Sequence, residues 1–353
     1  MKNLLIITQR VDRNYDVLGF FVEWIAEFSK KFEKVTVICL MKGEYSLPDN
    51  VKVLSLGKEK GVSRFFYIWN FYKYILSEKR NYDAVFVHNN PRYILLGWPV
   101  WKILGKKISL WYAHGHAPLM LKIADKLTNI AFTSTKEGYR INTNKLRIVG
   151  QGIDTDLFRP TNDQRPTNNE QRLKIVSAGR ISPSKDYETL IEAIKLLTNE
   201  NICVEVAGQP ATGEDENYLV KVNEKIKESG LANRFFLIGP IINKELPKFL
   251  QSADIFVNMS HTGSLDKAVL EAMACGIPIL TCNKALEAIL GPYVDELMYP
   301  VGSNEKLSNS LRALIAMSGD ERKKIGLDLR DRVVKNHSLP RLINFVFELI
   351  KSL

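Results

Sequence analysis

Two cations in the second half of the chain stand where a bound anion would need them. Arg180 and Lys185 flank a short polar loop in SAGRISPSKDYETLIEAI (177–194), directly after a predicted strand. Asp186 is the candidate cap of the helix that follows. A guanidinium offers paired donors in a fixed fork and an ammonium offers a point charge, so the pair suits a diphosphate. Solvated loop positions are the ordinary alternative for two cations. The position after a strand favours binding, because ligands of open α/β sheets lie beyond the strands' carboxyl ends.

Glu271 is the charged residue within the apolar part of a predicted helix, in SHTGSLDKAVLEAMACGIP (260–278). A carboxylate buried without a partner costs several kcal/mol, so some group must hydrogen-bond to it. One alternative is a phosphate or sugar hydroxyl, because the helix begins after small residues whose amides are free for a ligand. The other is an ion pair with Arg180 or Lys267. The spacing leaves both open.

Strands and helices must alternate along the chain to position these residues. The strand-like runs cover 4–8, 35–40, 51–56, 84–88, 107–112 and 129–134, and then 173–179, 202–208, 235–239, 254–258 and 277–281. Stretches of helical periodicity separate them, which is typical of βαβ units and parallel sheets. The pattern predicts an α/β fold with two doubly wound parallel-sheet domains that face each other across a cleft.

A change of composition marks the domain boundary. Residues 159–172 contain no apolar residue except proline, so we interpret them as a polar linker. We therefore expect a first domain over 1–158 and a second over 173–335. An amphipathic helix within 336–353 is expected to pack back toward the first domain.

The net charge of +10 is unevenly distributed. Residues 1–150 hold 24 Lys and Arg against 12 Asp and Glu, whereas residues 151–353 hold 25 against 27. A basic first domain indicates an anionic partner: nucleic acid, a phospholipid surface or a phosphorylated ligand. The chain has no helix-turn-helix, zinc-finger spacing or exposed aromatic platform, so we expect no nucleic acid. Neither domain opens with GxGxxG, which argues against a nicotinamide dehydrogenase.

The segment GVSRFFYIWNFYKYILSEKR (61–80) combines seven aromatic residues with several cations. A helix of this composition could lie at a membrane interface. The alternative is an apolar stripe packed on the sheet, made of Phe65, Ile68, Trp69, Tyr72 and Ile75. The first residues lack the features of a signal peptide, and no apolar stretch is long enough to span a bilayer. We expect a cytoplasmic protein, peripheral on the inner face of the plasma membrane.

Four segments resemble, in order along the chain, the motifs of the retaining glycosyltransferases of family 4. They are VGQGIDTDLFRP (149–160), SAGRISPSKDYETLIEAI (177–194), FLIGPIINKELPKFLQSADIFVNMS (236–260) and LEAMACGIPIL (270–280). That family has the GT-B architecture of two Rossmann-like domains, with the acceptor bound by the first and the donor by the second. The resemblance implies sugar transfer from a nucleotide-diphosphate sugar, UDP- or GDP-linked, with retention of anomeric configuration and no metal or other cofactor.

The resemblance also implies roles for single residues. Arg180 and Lys185 match the cations that neutralise the departing diphosphate, and Glu271 matches the glutamate that holds the ribose. Ile241 matches the family position whose backbone contacts the base of the nucleotide. The donor-binding set is Gly19, Arg180, Lys185, Ile241, Gly263, Ser264, Leu265, Asp266, Lys267 and Glu271.

Histidines of the first domain complete the predicted site. His114, in SLWYAHGHAP, matches a family histidine near the reacting sugar. In the alternative alignment, His116 takes that position. The expected catalytic residues are His114, Arg180, Lys185 and Glu271. His88 and His116 are expected on the acceptor side, because both lie at the carboxyl ends of predicted strands.

The chain departs from the family pattern at Gly263. Relatives usually carry a glutamate eight positions before the one matched by Glu271, where it touches the transferred sugar. Either Asp266 takes over that contact, or the loop amides of 263–266 do, or activity is lost; we expect the first two together.

The acceptor is the least constrained partner. We expect a glycan or a lipid-linked sugar, used in cell-surface polysaccharide or glycolipid synthesis. Two other functions of the same fold remain open, a non-catalytic nucleotide-sugar binder and a sugar-nucleotide epimerase.

Overall fold

The computed structural model describes residues 2–15, 17–114, 116–161, 172–198 and 200–353. The chain forms two compact units. The first comprises Met1–Asp154, Ile242–Lys244 and His337–Leu353, and the second comprises Thr155–Ile241 and Glu245–Asn336. Most of the predicted linker, residues 162–171, lies outside the described part of the chain.

The first unit is built on a seven-stranded parallel sheet with the order β3-β2-β1-β4-β5-β6-β7. Its strands are β1 (Asn3–Val11), β2 (Lys34–Lys42), β3 (Val51–Ser55), β4 (Ala84–His88), β5 (Lys107–Trp111), β6 (Ile130–Thr133) and β7 (Leu146–Ile148). Its helices are α1 (Phe21–Ser29), α2 (Arg64–Ser77), α3 (Arg92–Ile103) and α4 (Leu119–Leu127). The six predicted strands of this half are present, and the three-residue edge strand β7 is additional.

The second unit has a five-stranded parallel sheet with the order β10-β9-β8-β11-β12. The strands are β8 (Leu173–Ala178), β9 (Ile202–Ala207), β10 (Phe235–Gly239), β11 (Ile255–Asn258) and β12 (Ile279–Thr281). The helices are α5 (Tyr187–Lys195), α6 (Gly213–Glu228), α7 (Leu246–Gln251), α8 (Lys267–Ala274), α9 (Glu287–Leu290), α10 (Val294–Leu297), α11 (Asn304–Ala316) and α12 (Gly319–His337). In both units the strand order reverses beside the first strand, which is where ligands of doubly wound sheets bind.

The last helix, α13 (Leu339–Lys351), belongs to the first unit. Its apolar face, which includes Leu342 and Val346, joins the core around Trp24 of α1. The indole of Trp24 also donates to the carbonyl of Gly152 at 3.2 Å. Gly152 has a φ of +70°, and a Cβ there would lie 2.7 Å from that ring. Gly152, the second glycine of the VGQGID segment, is therefore required by packing.

The structure overturns the predicted packing of α2. Phe71 and Ile75 are its buried residues, whereas Phe65 and Trp69 are 71% and 62% exposed. The buried stripe is therefore rotated from the predicted one, because a helix with seven aromatic residues offers more than one apolar stripe at helical spacing. The exposed rings also correct the statement that the chain has no exposed aromatic platform. Among the described residues no helix has the length and apolar character needed to cross a membrane.

Candidate functional site

The loop after β8 places the two predicted cations. Lys185 ends a short 3-10 turn, Pro183–Lys185, and Asp186 caps α5 with a φ of +46°. The Asp186 carboxylate accepts from the Thr189 hydroxyl at 2.6 Å and from the Thr189 amide at 3.4 Å. This cap, predicted from the sequence, fixes the turn that presents Lys185.

Lys185 is paired with Asp266 in the second unit. Its ammonium donates to Asp266 Oδ2, and the side-chain amide of Asn258 donates to the same oxygen at 3.0 Å. Both partners of the ion pair are largely shielded, with 18% and 14% of their side chains exposed. The residue that we expected to contact the sugar therefore also holds the residue that we expected to contact the diphosphate.

A buried polar network stands behind Asp266. The Thr281 hydroxyl donates to Asn258 Oδ1 at 2.9 Å, and the Tyr299 hydroxyl donates to the Asn258 carbonyl at 2.9 Å. The Asn283 side chain donates to the Ser264 carbonyl at 2.8 Å, which anchors the loop before α8. Burial raises the pKa of Tyr299 well above its usual value, so it remains a neutral donor.

These network residues were missed from the sequence. The sequence feature that could have revealed them is the presence of polar residues at the carboxyl ends of two otherwise apolar strands, in DIFVN and ILTCN. A polar residue inside a strand buried on both faces must find partners. Here the partners lie on the loop that carries Asp266.

Arg180 differs from Lys185 in being exposed. Among the described residues its guanidinium has no ion pair, so it is available to a ligand. The backbone around it is tightly fixed. Gly179 donates to the Ala207 carbonyl at 2.9 Å, and a Cβ at Gly208 would lie 1.8 Å from the Gly179 carbonyl oxygen. Gly179 follows β8 and Gly208 follows the neighbouring strand β9. The close approach of these two glycines sets the position of Arg180.

Glu271 is buried, with 3% of its surface exposed, on α8. Its Oε1 accepts from the ammonium of Lys267, one helical turn earlier. Lys267 also lies 5.6 Å from the ring centroid of Phe158. The structure therefore shows the ion pair that the sequence suggested, with Lys267 as a partner of Glu271. The pair supplies the compensation that a buried carboxylate needs.

The remaining donor residues of the second unit lie at the loop before α8 and after β10. Gly263 adopts a φ of +75°, a conformation that favours glycine, and Leu265 is buried. Ser264 and Ile241 are half-buried. The glycine at the position of the customary glutamate thus serves the local turn.

The predicted residues of the first unit occupy different environments. Gly19 lies in a turn before α1, where a Cβ would lie 2.6 Å from the Tyr15 carbonyl oxygen. His114 and His116 are exposed after β5. The His114 amide donates to the Gly138 carbonyl at 3.0 Å, and its ring lies edge-on to Tyr112 at 5.2 Å.

The structure corrects the prediction for His88. It is 1% exposed, stacks on Phe21 at 3.9 Å and has both ring nitrogens within hydrogen-bonding distance of neighbours, Thr8 and Asn89. Burial, followed by the nearby His114, lowers the pKa of His88 to about 3. His88 is a neutral core residue and does not face an acceptor, because its strand ends beneath α1.

No group of three or more His, Cys, Asp or Glu side chains suited to a metal occurs in the described part of the chain. The four cysteines are free thiols, and three of them are buried, namely Cys39, Cys275 and Cys282.

Comparisons with known proteins agree with this architecture. Residues 158–332 match the family model of the glycosyl transferases group 1. A mannosylfructose-phosphate synthase of Agrobacterium fabrum is 26% identical over 151 residues, which are 40% of this chain and 33% of that protein. A probable sucrose-phosphate synthase of Thermosipho melanesiensis is 24% identical over 61% of this chain and 49% of that protein. The matched regions thus span a third to a half of these relatives.

Solved structures share the fold over the full chain. The Anabaena protein HepE, crystallised with UDP and glucose, has a TM-score of 0.77 at 15% identity and covers 100% of both chains. A sucrose-phosphate synthase of Thermosynechococcus elongatus has a TM-score of 0.78 at 16% identity and covers 100% of this chain and 99% of its own.

Proposed function

Because residues 158–332 place this chain in the glycosyl transferases group 1 family, we propose that it is a retaining, metal-independent transferase. In this proposal it moves a sugar from a nucleotide-diphosphate sugar to a glycan or lipid-linked acceptor. The observation that carries the proposal is the pair of cations at the carboxyl end of β8, exposed Arg180 and turn-held Lys185.

The two cations would bind the diphosphate of the donor. Arg180 supplies a bidentate fork and Lys185 a positioned ammonium, and both would stabilise the negative charge that develops as the nucleoside diphosphate departs. The Lys185 ammonium is already oriented by Asp266, so little rearrangement is needed before it acts. In this way the protein would supply the positive charge that other transferases take from a bound cation.

Glu271 and Asp266 would contact the two ends of the donor. Glu271 would accept from the ribose hydroxyls, beside its ion pair with Lys267. Asp266, together with the loop amides at Gly263 and Ser264, would bind hydroxyls of the transferred sugar. The exposed His114 would lie near the reacting carbon. A UDP-linked donor is the first choice, with GDP as the second, since HepE was crystallised with UDP and with UDP-glucose.

We further propose that the protein works at the cytoplasmic surface of an anionic membrane. Support comes from the exposed rings of Phe65 and Trp69 on α2 and from the excess of 24 cations over 12 acids in residues 1–150. Aromatic side chains favour the interface, and each cation near an anionic leaflet adds about 1 kcal/mol. An acceptor for cell-surface polysaccharide or glycolipid synthesis would be presented there.

A turnover assay tests the proposal. The protein is incubated with UDP-, GDP- and ADP-linked sugars, with and without lipid-linked acceptors, and each reaction is run both with and without EDTA. We expect release of one nucleoside diphosphate that depends on the acceptor, and a product that keeps the donor's anomeric configuration by NMR. Binding without release would indicate a non-catalytic binder, and a changed sugar on an intact nucleotide would indicate an epimerase. Activity lost only in EDTA would contradict metal independence.

A further inference from the structure

The first unit contains a pocket lined by residues of β1, β2, α2 and α3. Its volume is about 650 Å³, within the range of small-molecule sites. Gln9, Leu40, Leu56 and Asn90 line it, and each lies near or just after the carboxyl end of a different strand, β1 to β4. Those four strands are neighbours in the sheet. The pocket therefore occupies the place where open α/β sheets bind ligands.

The floor of the pocket is apolar. Phe71 and Leu56 are buried, and Leu96 of α3 also lines the pocket. Tyr93 contributes a ring whose phenol stays neutral, because burial raises its pKa. A wholly polar ligand would leave this surface without a partner, so the shape favours a ligand with a hydrocarbon portion.

The rim of the pocket is cationic. Lys58, Arg64 and Arg92 line it, all three are exposed, and no Asp or Glu is among the lining residues. None of the three forms an ion pair within the described residues. Their charges would be satisfied by an anion with several oxygens, because arginine binds phosphate through two parallel hydrogen bonds.

The two arginines stand at unfavourable positions for a free protein. Arg64 is the first residue of α2 and Arg92 is the first residue of α3, and neither helix has an acidic residue in its first turn. A helix N-terminus carries positive partial charge, so cations there are repelled and anions are attracted. The placement adds to the positive field of the rim and is compensated when an anion binds.

We propose that this pocket binds the phosphate-bearing end of a lipid-linked acceptor. The phosphate or diphosphate would lie among Lys58, Arg64 and Arg92, and the adjoining part of the hydrocarbon chain would lie on the apolar floor. Ile68, which lines the pocket and is 46% exposed, connects it to the exposed aromatic face of α2. The chain would therefore leave the pocket toward the membrane. The inference rests on the proposed sugar transfer, for which it names the class of acceptor.

Binding of three probes to the full chain tests the inference without any sugar donor. Dodecyl phosphate has both features, dodecyl maltoside has only the chain, and inorganic phosphate has only the charge; all are titrated by calorimetry below their micelle concentrations. We expect dodecyl phosphate to bind at least tenfold more tightly than either of the others. Equal affinity for dodecyl maltoside or for inorganic phosphate would overturn the proposal.

Charge-neutral variants locate the site. Arg64→Gln combined with Arg92→Gln should weaken dodecyl phosphate binding at least tenfold and leave dodecyl maltoside unchanged. Lys58→Gln alone should weaken it severalfold, which keeps the test valid if the double variant folds poorly. The matched control combines Arg140→Gln with Lys122→Gln, two exposed cations of the same unit away from the pocket. An equal loss in the control would overturn the proposal.

Turnover separates the two proposals. If dodecyl phosphate binds as expected but no nucleotide-sugar yields transfer to any acceptor, the proposed function is wrong and the phosphate-lipid site stands. If transfer to a lipid-linked acceptor occurs and the Arg64→Gln, Arg92→Gln variant leaves the KM for that acceptor unchanged, the site is wrong and the function stands.

Discussion

The ammonium of Lys185 is bonded to a carboxylate oxygen of Asp266, 81 residues further along the chain. The pair joins the loop after β8 to the N-terminus of α8. The side-chain amide of Asn258 donates to the Asp266 carboxylate at 3.0 Å and helps to fix it. Two residues with separate expected roles, one toward the diphosphate and one toward the sugar, are therefore physically coupled. A change at either should therefore alter the binding of a nucleotide-sugar.

Replacement of Asp266 by Asn tests its two roles. The carboxylate repels a diphosphate while it binds sugar hydroxyls, so its removal should leave UDP binding equal or tighter and weaken a UDP-sugar by roughly tenfold or more. Calorimetry with the nucleotide and with the nucleotide-sugar, beside turnover, separates the effects. If affinity for both and turnover all stayed at wild-type values, Asp266 would have no role at the sugar.

Lys185→Ala should weaken nucleoside diphosphate binding by roughly 10- to 150-fold, because a charge-assisted hydrogen bond contributes about 1.5 to 3 kcal/mol. The matched control is Lys221→Ala, since Lys221 is a cation of the same unit whose side chain is 65% exposed in a surface ion pair with Glu188. Titration with UDP and GDP measures both variants. Full retention of binding by Lys185→Ala would remove this residue from the diphosphate site.

Exchanges at the Lys267 and Glu271 pair distinguish a structural ion pair from a ribose contact. Lys267→Met leaves a buried carboxylate without its ammonium and should lower the free energy of unfolding by about 3 kcal/mol. Glu271→Gln removes the charge itself, so it should cost less stability and weaken nucleotide binding. Urea denaturation and UDP titration of both variants provide the measurements. If Glu271→Gln bound UDP normally, the glutamate would have only the structural role of the ion pair.

Stability should fall as pH decreases below about 6.5. Burial lowers the pKa of His88 to about 3, and burial followed by Arg341 lowers that of His337 to about 4. The unfolded chain takes up these protons near pH 6.5 and the folded chain does so only at much lower pH. The contribution of these histidines to the free energy of unfolding is therefore complete above pH 6.5. As the pH falls below 6.5, the free energy of unfolding declines by up to about 1.4 kcal/mol per pH unit for each histidine.

Variants at the histidines assign this pH dependence. His88→Phe, which keeps a ring beside Phe21, should flatten the decline between pH 6.5 and pH 4.5. His116→Gln, at an exposed position, is the control and should leave the slope unchanged. Denaturant titrations at pH 7, 6 and 5 give the values. An unchanged slope in His88→Phe would show that His88 is protonated without cost in the folded chain.

A methyl group at Gly208 should disturb the cation loop. Its Cβ would lie 1.8 Å from the Gly179 carbonyl oxygen, and its φ of +155° disfavours other residues. Gly208→Ala should lower the melting temperature and weaken diphosphate binding through displacement of Arg180. Gly213→Ala is the control, because nothing lies within 4 Å of its Cβ. Equal melting temperatures for the two variants would contradict this account.

The sequence by itself determined the fold class and most elements. Eleven apolar runs at strand length appeared as strands, because a strand buried on both faces leaves a continuous apolar signal. The cap at Asp186 was likewise readable, since capping depends on residues three positions apart. The four motif segments were local too, and they predicted the family to which residues 158–332 conform.

Only the tertiary structure decided which partners the charged residues take. Lys185 and Asp266 are 81 positions apart, and no local pattern encodes that contact. The same reason applies to α2 and His88. Several apolar stripes fitted α2, and packing against the sheet buried Phe71 and left Phe65 exposed. A histidine at the end of a strand is accessible or buried according to what covers it, and His88 is covered by Phe21 of α1. Long-range packing selects among alternatives that local chemistry leaves equal.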